Sequence, residues 1–205
     1  LGLASPQIEP SISIQASLPM EQICTTETKL PLYRGFNKNL ENCLQAYGCQ
    51  TDGITALSTI FRGFSSILLP NIESLMATIY ATGKCRYITS YVNVTWKSFE
   101  DLWNNGLSQI IDSCNNCPQE IHYLILRNIN LSYIPNYMQT RFDVQMGYTN
   151  TLPKTKCSYP SNLKVLMTAT EDDVIPLTKD SLQYVGCISK DLFNRNILIP
   201  NPRVE

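Results

Sequence analysis

Two periods divide the hydrophobic positions of this chain, one near 3.6 residues and one of 2. The longest stretch of the first kind runs from about Asp52 to Leu68. There Ile54, Leu57, Phe61, Phe64 and Leu68 fall three or four residues apart, with Ile60 and Ile67 beside them. The spacing predicts one amphipathic helix, with Asp52 as N-cap and Pro70 as its stop. A second helix is expected from Asn71, its cap, with Ile72, Leu75, Met76 and Ile79 on one face and Gly83 at the left-handed C′ position. The link at Pro70 is so short that the two helices must fold back antiparallel or bend sharply. Between the caps only Arg62 and Glu73 carry charge. Such a pair reads as the covered centre of the fold rather than as a lipid-binding hairpin.

The second period marks strands. Ile12, Ile14, Ala16 and Leu18 alternate with polar residues over 11–18, and Ile88, Val92, Val94 and Trp96 share one face of Arg86 to Trp96. Tyr87, Tyr91 and Asn93 fall on the other face. Phe142, Val144, Met146 and Tyr148 predict a strand over Arg141 to Thr149, and Leu163, Val165, Met167 and Ala169 predict another. Helical spacing returns over Phe36 to Tyr47, where Cys43 points inward, and over Ser98 to Cys114, with Ser98 and Asp101 placed for a capping box. Gly106 inside that helix marks either close packing or a bend. Pro118 to Tyr133 suits a short helix and a buried strand equally. A last ordered segment is expected around Leu182 to Phe193.

The fold class these elements predict is α+β: a helix-rich single domain over 11–199 with a small, mostly antiparallel sheet. Residues 1–10 form an arm and 200–205 a tail. No repeat or low-complexity tract interrupts the chain.

Cysteine usage adds a compartment. Cys24, Cys43, Cys49, Cys85, Cys114, Cys117, Cys157 and Cys187 make an even set without clustered histidines. They read as about four disulfides stapling the domain, in an oxidising compartment. Two sequons, at Asn93 and Asn130, predict N-glycosylation and agree with it. The chain opens without Met and without a charged-then-apolar leader, which predicts a mature form with its signal peptide removed. No apolar run approaches a membrane span. Lys and Arg number 16 against 17 Asp and Glu, without a run of like charge, so nucleic acid is not an expected partner.

Candidate chemistry is sparse. Cys114-Asn115-Asn116-Cys117 is a CxxC, but it follows a helix instead of opening one after a strand, so structural bridges are expected and not a redox pair. No second cysteine pair completes a zinc site, and no metal or cofactor is expected. His122 is the one histidine, hence the one imidazole base available; no G-x-S-x-G elbow surrounds any serine and no G-x-G phosphate loop exists. Glu171-Asp172-Asp173 reads as a solvated acidic turn. Tyrosine outnumbers phenylalanine and tryptophan combined. Tyr87, Tyr91, Tyr133 and Tyr137 are the candidate binding surface, because Tyr joins contact area to a hydroxyl. The resulting expectation is a secreted or cell-surface glycoprotein ectodomain that binds another extracellular protein, with no catalytic residues. An apolar-ligand or lipid carrier and a carboxylate-dependent glycan hydrolase are the alternatives.

Overall fold

The apolar run Ser66-Ile67-Leu68 is a strand, and its placement reorganises the whole prediction. In the computed structural model, which describes residues 21–25, 34–46, 52–154, 158–171 and 175–188, α1 (Phe36–Ala46) and α2 (Asp52–Gly63) precede β2 (Ser66–Leu68). The helical stripe therefore ends at Phe61. Phe64 and Leu68 continue its spacing by coincidence, across a Gly63-Phe64-Ser65 break. α3 (Ile72–Thr82) follows, capped as its sequence predicts: Asn71 Oδ1 accepts from Ser74 N at 2.9 Å, and Gly83 at φ 79° donates its N–H to Tyr80 O. The two helices are thus not a hairpin but the flanks of a buried strand.

β1 (Gln22–Cys24), β3 (Cys85–Tyr91), β4 (Ile121–Arg127), β5 (Leu163–Thr168) and β6 (Gly186–Cys187) complete the described sheet, in the order β1-β3-β4-β5-β2-β6. Apart from β1, which runs antiparallel to β3, every pairing is parallel. The expected small antiparallel sheet is corrected accordingly. Parallel strands need crossovers, which lay helices on both faces and bury each strand twice. That is why the run His122 to Leu126 is buried at every position and gave no period.

One face carries α1, α2 and α3: Leu40, Leu44, Leu57, Leu75 and Ile79 pack on Ile67, Tyr123, Ile125 and Leu166. The other carries α4 (Phe99–Leu102), α5 (Ser108–Asn116) and α6 (Ile134–Gln145), whose Leu102, Ile110, Tyr137 and Phe142 pack on Ile88, Leu124, Val165 and Met167. α4 and α5 are one helix interrupted by a π-type turn at Trp103–Leu107, where Gly106 sits at φ 114°. Both readings of this glycine hold. A Cβ there would stand 2.9 Å from Ser90 Oγ and 3.0 Å from Ile88 Cγ2, so the bend presses backbone onto the sheet. The capping box at Ser98 and Asp101 is present as expected.

Arg141 to Thr149 is not a strand. α6 runs through Gln145, with Pro135 in its first turn. The segments 1–20, with the strand expected at 11–18, and 189–205, with the tail, lie outside the described residues, as do Cys49, Cys157, Asp172 and Asp173. The disulfide staples are also corrected. None of the six described cysteines is joined to another, and the fold is held by two apolar layers instead.

Candidate functional site

In sheets of this kind, ligands commonly sit beyond the carboxyl ends of the strands, at the point where successive crossovers go to opposite faces. Here that point is the turn from β2 into α3. It consists of Leu69-Pro70-Asn71, with no glycine and no lysine, and the Ser74 N–H in the first turn of α3 is met by Asn71's own side chain. A phosphate cradle needs open backbone N–H groups at such a helix start. Here the cap already occupies one of them, and no glycine lets a ligand approach the backbone.

At the opposite, amino end of the strands, β2 and the lead-in to β5 meet a buried arginine. Arg141 on α6 is fully buried. Its Nε and Nη2 donate to Tyr159 Oη at 3.1 and 2.9 Å, Nη1 donates to Gln145 Oε1 at 3.1 Å and to Ser66 Oγ, and Nη2 also reaches Ser65 Oγ at 3.1 Å. Every one of these acceptors is neutral. No described carboxylate pairs with Arg141. Removing a guanidinium from water without a counter-ion costs several kcal/mol, so this position carries an unbalanced charge.

Above it opens a pocket of about 430 Å³, lined by Ser65, Gln145, Tyr159, Lys164 and Arg62 among others, and by no acid. The guanidinium leaves the neighbouring hydroxyl protons unused. Ser65 Oγ and Tyr159 Oη accept from the guanidinium, so their own protons are turned away from it; the amide NH₂ of Gln145 is likewise left to donate. Burial pushes the Tyr159 phenol upward against Arg141's opposing charge, which keeps it a donor at neutral pH. Lys164 Nζ donates to Phe61 O at 2.7 Å and Phe64 O at 2.9 Å, at the end of α2. Desolvation, and then the charge of Arg141, hold its pKa below the ordinary lysine value. The carboxyl end of α2 contributes roughly half a negative charge, against three whole positive ones from Arg62, Arg141 and Lys164. The pocket is lined by donors and by the cations Arg62 and Lys164, with Arg141 buried behind Ser65 and Tyr159.

The residues singled out in the sequence lie elsewhere. Tyr137 is buried, its hydroxyl donating to Ile129 O at 3.1 Å and its ring edge-on to Trp96, because helix α6 turns it inward. It is a core residue, which corrects its place in the binding surface. Tyr87 is half-buried against the α1–α3 layer, while Tyr91 and Tyr133 are exposed. Asn93 is exposed, with Oδ1 accepting from Thr95 N at 2.9 Å. Asn130 is buried, and its Nδ2, the atom that would carry a glycan, donates to Thr170 O at 3.0 Å. A glycan there would take one of the two Nδ2 hydrogens and would require the side chain to leave its buried position.

Among the cysteines, Cys24 and Cys85 are directly opposed on β1 and β3 with their thiols hydrogen-bonded, which together with burial raises the Cys85 pKa. Burial pushes Cys114 up to about 12, the reverse of an activated thiol; Cys43 is buried, Cys117 half-buried and Cys187 exposed. His122 is fully buried, with Nδ1 2.9 Å from Glu120 O and Nε2 3.1 Å from Ser113 Oγ, which in turn donates to Glu21 at 2.5 Å. Glu21 and Glu120 both bind Arg86, at 3.1 and 2.7 Å. Their carboxyls are held low, Glu21 chiefly by Ser113 and Glu120 by Lys84, whereas a glycosidase acid needs a raised pKa. Glu171 is exposed. Among the described residues no group of His, Cys, Asp and Glu could hold a metal, and no helix is long and apolar enough to cross a membrane.

Sequence reasoning missed Arg141, Tyr159 and Lys164. One signal was available: read as a helix, the segment places Arg141 in the stripe of Ile134, Tyr137, Met138 and Phe142, an arginine where an apolar residue belongs. No protein-family model matches the chain, and no curated protein matches it in sequence.

Proposed function

We propose that this chain is a binding module for an anionic ligand, a phosphate or sulfate group seated in the pocket between α2, α6 and the start of β5. The observation that carries it is Arg141: a guanidinium removed from solvent whose described partners are all neutral. An anion above Ser65 and Tyr159 would offset that charge while accepting the hydroxyl protons turned toward it. Lys164 would meet the anion directly, and Arg62, exposed at the rim, would steer it in. Nothing in the arrangement calls for a bond to be broken, so binding is the reading and not catalysis.

The test is thermal unfolding in phosphate or sulfate against chloride at matched ionic strength. The melting temperature should rise with anion concentration and saturate, as ligand linkage requires. An identical response to chloride would reject the pocket as a specific site.

A second reading keeps the protein-binding ectodomain, now on narrower grounds. Asn93 stands in solvent with its sequon threonine folded back on it, Thr95 Oγ1 donating to Asn93 Oδ1 at 2.5 Å, and Tyr91 lies two residues away with more than half its surface exposed. Secretion of a tagged chain from cells, followed by glycosidase digestion, checks it: a mass loss of one glycan supports the reading, and an unchanged mass removes it.

A further inference from the structure

A larger depression of about 690 Å³ opens beside the first, on the other side of the end of α2, lined by Arg34, Phe36, Lys38, Phe61 and Arg62. The two share Arg62. No described acid lines the larger pocket, and Lys38 is already held by Glu41 at 2.8 Å. Arg34 and Arg62 are therefore its uncompensated cations. Its wall is the stacked pair Phe36 and Phe61, with centroids 4.3 Å apart, and Lys164 lies over Phe61 at 4.6 Å. Arg62 thus stands between two cationic hollows, with Phe61 in the wall of the larger one.

We infer that the ligand carries two anionic groups, one in each hollow, with Arg62 between them. This rests on the reading of the smaller pocket as an anion site and adds the class of molecule: a condensed phosphate or an organic bisphosphate, not a lone inorganic ion. Guanidinium groups suit this task because their forked N–H donors bind phosphate oxygens in pairs. Two groups on one molecule also act at high effective concentration, so the second contact adds affinity without a second loss of free motion.

Calorimetry on the full chain at constant ionic strength tests this with three probes: orthophosphate, tripolyphosphate and fructose 1,6-bisphosphate. The two-group probe of the correct class binds at least tenfold more tightly than orthophosphate, and which of the two does so distinguishes a condensed from an organic source. Arg34→Gln, on the surface and outside the smaller pocket, leaves orthophosphate affinity within twofold and removes the tenfold gain. Lys97→Gln, at the opposite edge of the sheet, makes the same change of net charge and leaves the gain intact. Orthophosphate binding with no gain from either longer probe overturns the two-group ligand alone. A gain that Arg34→Gln and Lys97→Gln reduce equally does the same, because it is then general electrostatics. Failure of all three probes to bind overturns this inference together with the anion pocket.

Discussion

Arg141 Nη2 lies 2.9 Å from Tyr159 Oη, and the guanidinium carbon stands 4.6 Å from the centre of the same ring. One side chain from α6 thus fixes the segment leading into β5 by its hydroxyl and by its aromatic face. Arg141→Met keeps much of the volume and removes every donor. It strands the buried Ser66 hydroxyl, at roughly 1–3 kcal/mol for an unsatisfied group, while relieving an unpaired charge. Urea denaturation should show a loss near the lower end of that range, and the stabilisation by phosphate should vanish.

Gly106 carries a sharper penalty. At φ 114° any side chain is strained, and Ser90 Oγ, Ile88 Cγ2 and Leu124 Cδ1 occupy the space a Cβ would take. Gly106→Ala should destabilise by about 2–4 kcal/mol, strain and overpacking together. Gly147→Ala shares a positive φ but meets no neighbour within 4 Å. It should cost visibly less, because it lacks the overpacking and its φ lies nearer the left-handed well.

His122 makes the stability depend on pH. Burial holds its pKa below the ordinary value, so the folded chain resists protonation there while the unfolded chain takes a proton near 6.5. Its contribution is full above that pH and is lost as pH falls from there through the lower folded-state value. Glu21 behaves differently: its pKa is lowered in the folded state, so its share persists above the ordinary carboxylate range and fades below it. Denaturation curves at pH 7.5, 5.5 and 3.5 should therefore show two separate steps of loss. His122→Phe should remove the first step and leave the second.

The described thiols should divide by exposure. Cys187 and the half-buried Cys117 are open to alkylation in the native chain, whereas Cys85 and Cys114 are enclosed and have raised pKa values. Timed alkylation with peptide mapping should find the first two modified early and the last two only on unfolding. Early modification of Cys114 would show that the end of α5 is not packed as described.

Much of this architecture was legible where one period had room to run. The caps at Asn71, Gly83 and Ser98 and the inward turn of Leu40, Cys43 and Leu44 were written in local chemistry. The errors arose where burial on two faces erased the period, as at Ile67 and Tyr123, or where a short alternation imitated it. Phe142, Val144, Met146 and Tyr148 alternate in sequence, yet α6 buries the first two and the others, beyond its end at Gln145, are exposed. Strand direction could not be read from any strand; it follows from the helices between them. The pocket was hidden for a further reason. Ser65, Arg141 and the Tyr159–Lys164 stretch lie on three separate segments, and only the sheet order brings them together.

Whether those donors hold an anion is decided by one comparison: calorimetric titration of phosphate into the wild-type chain and into the Ser65→Ala, Tyr159→Phe double variant, with circular dichroism to confirm that both are folded. Two hydroxyls that accept from Arg141 and line the pocket predict a single site in the wild type and at least a tenfold weaker one in the variant. Equal isotherms for two folded proteins would contradict the account.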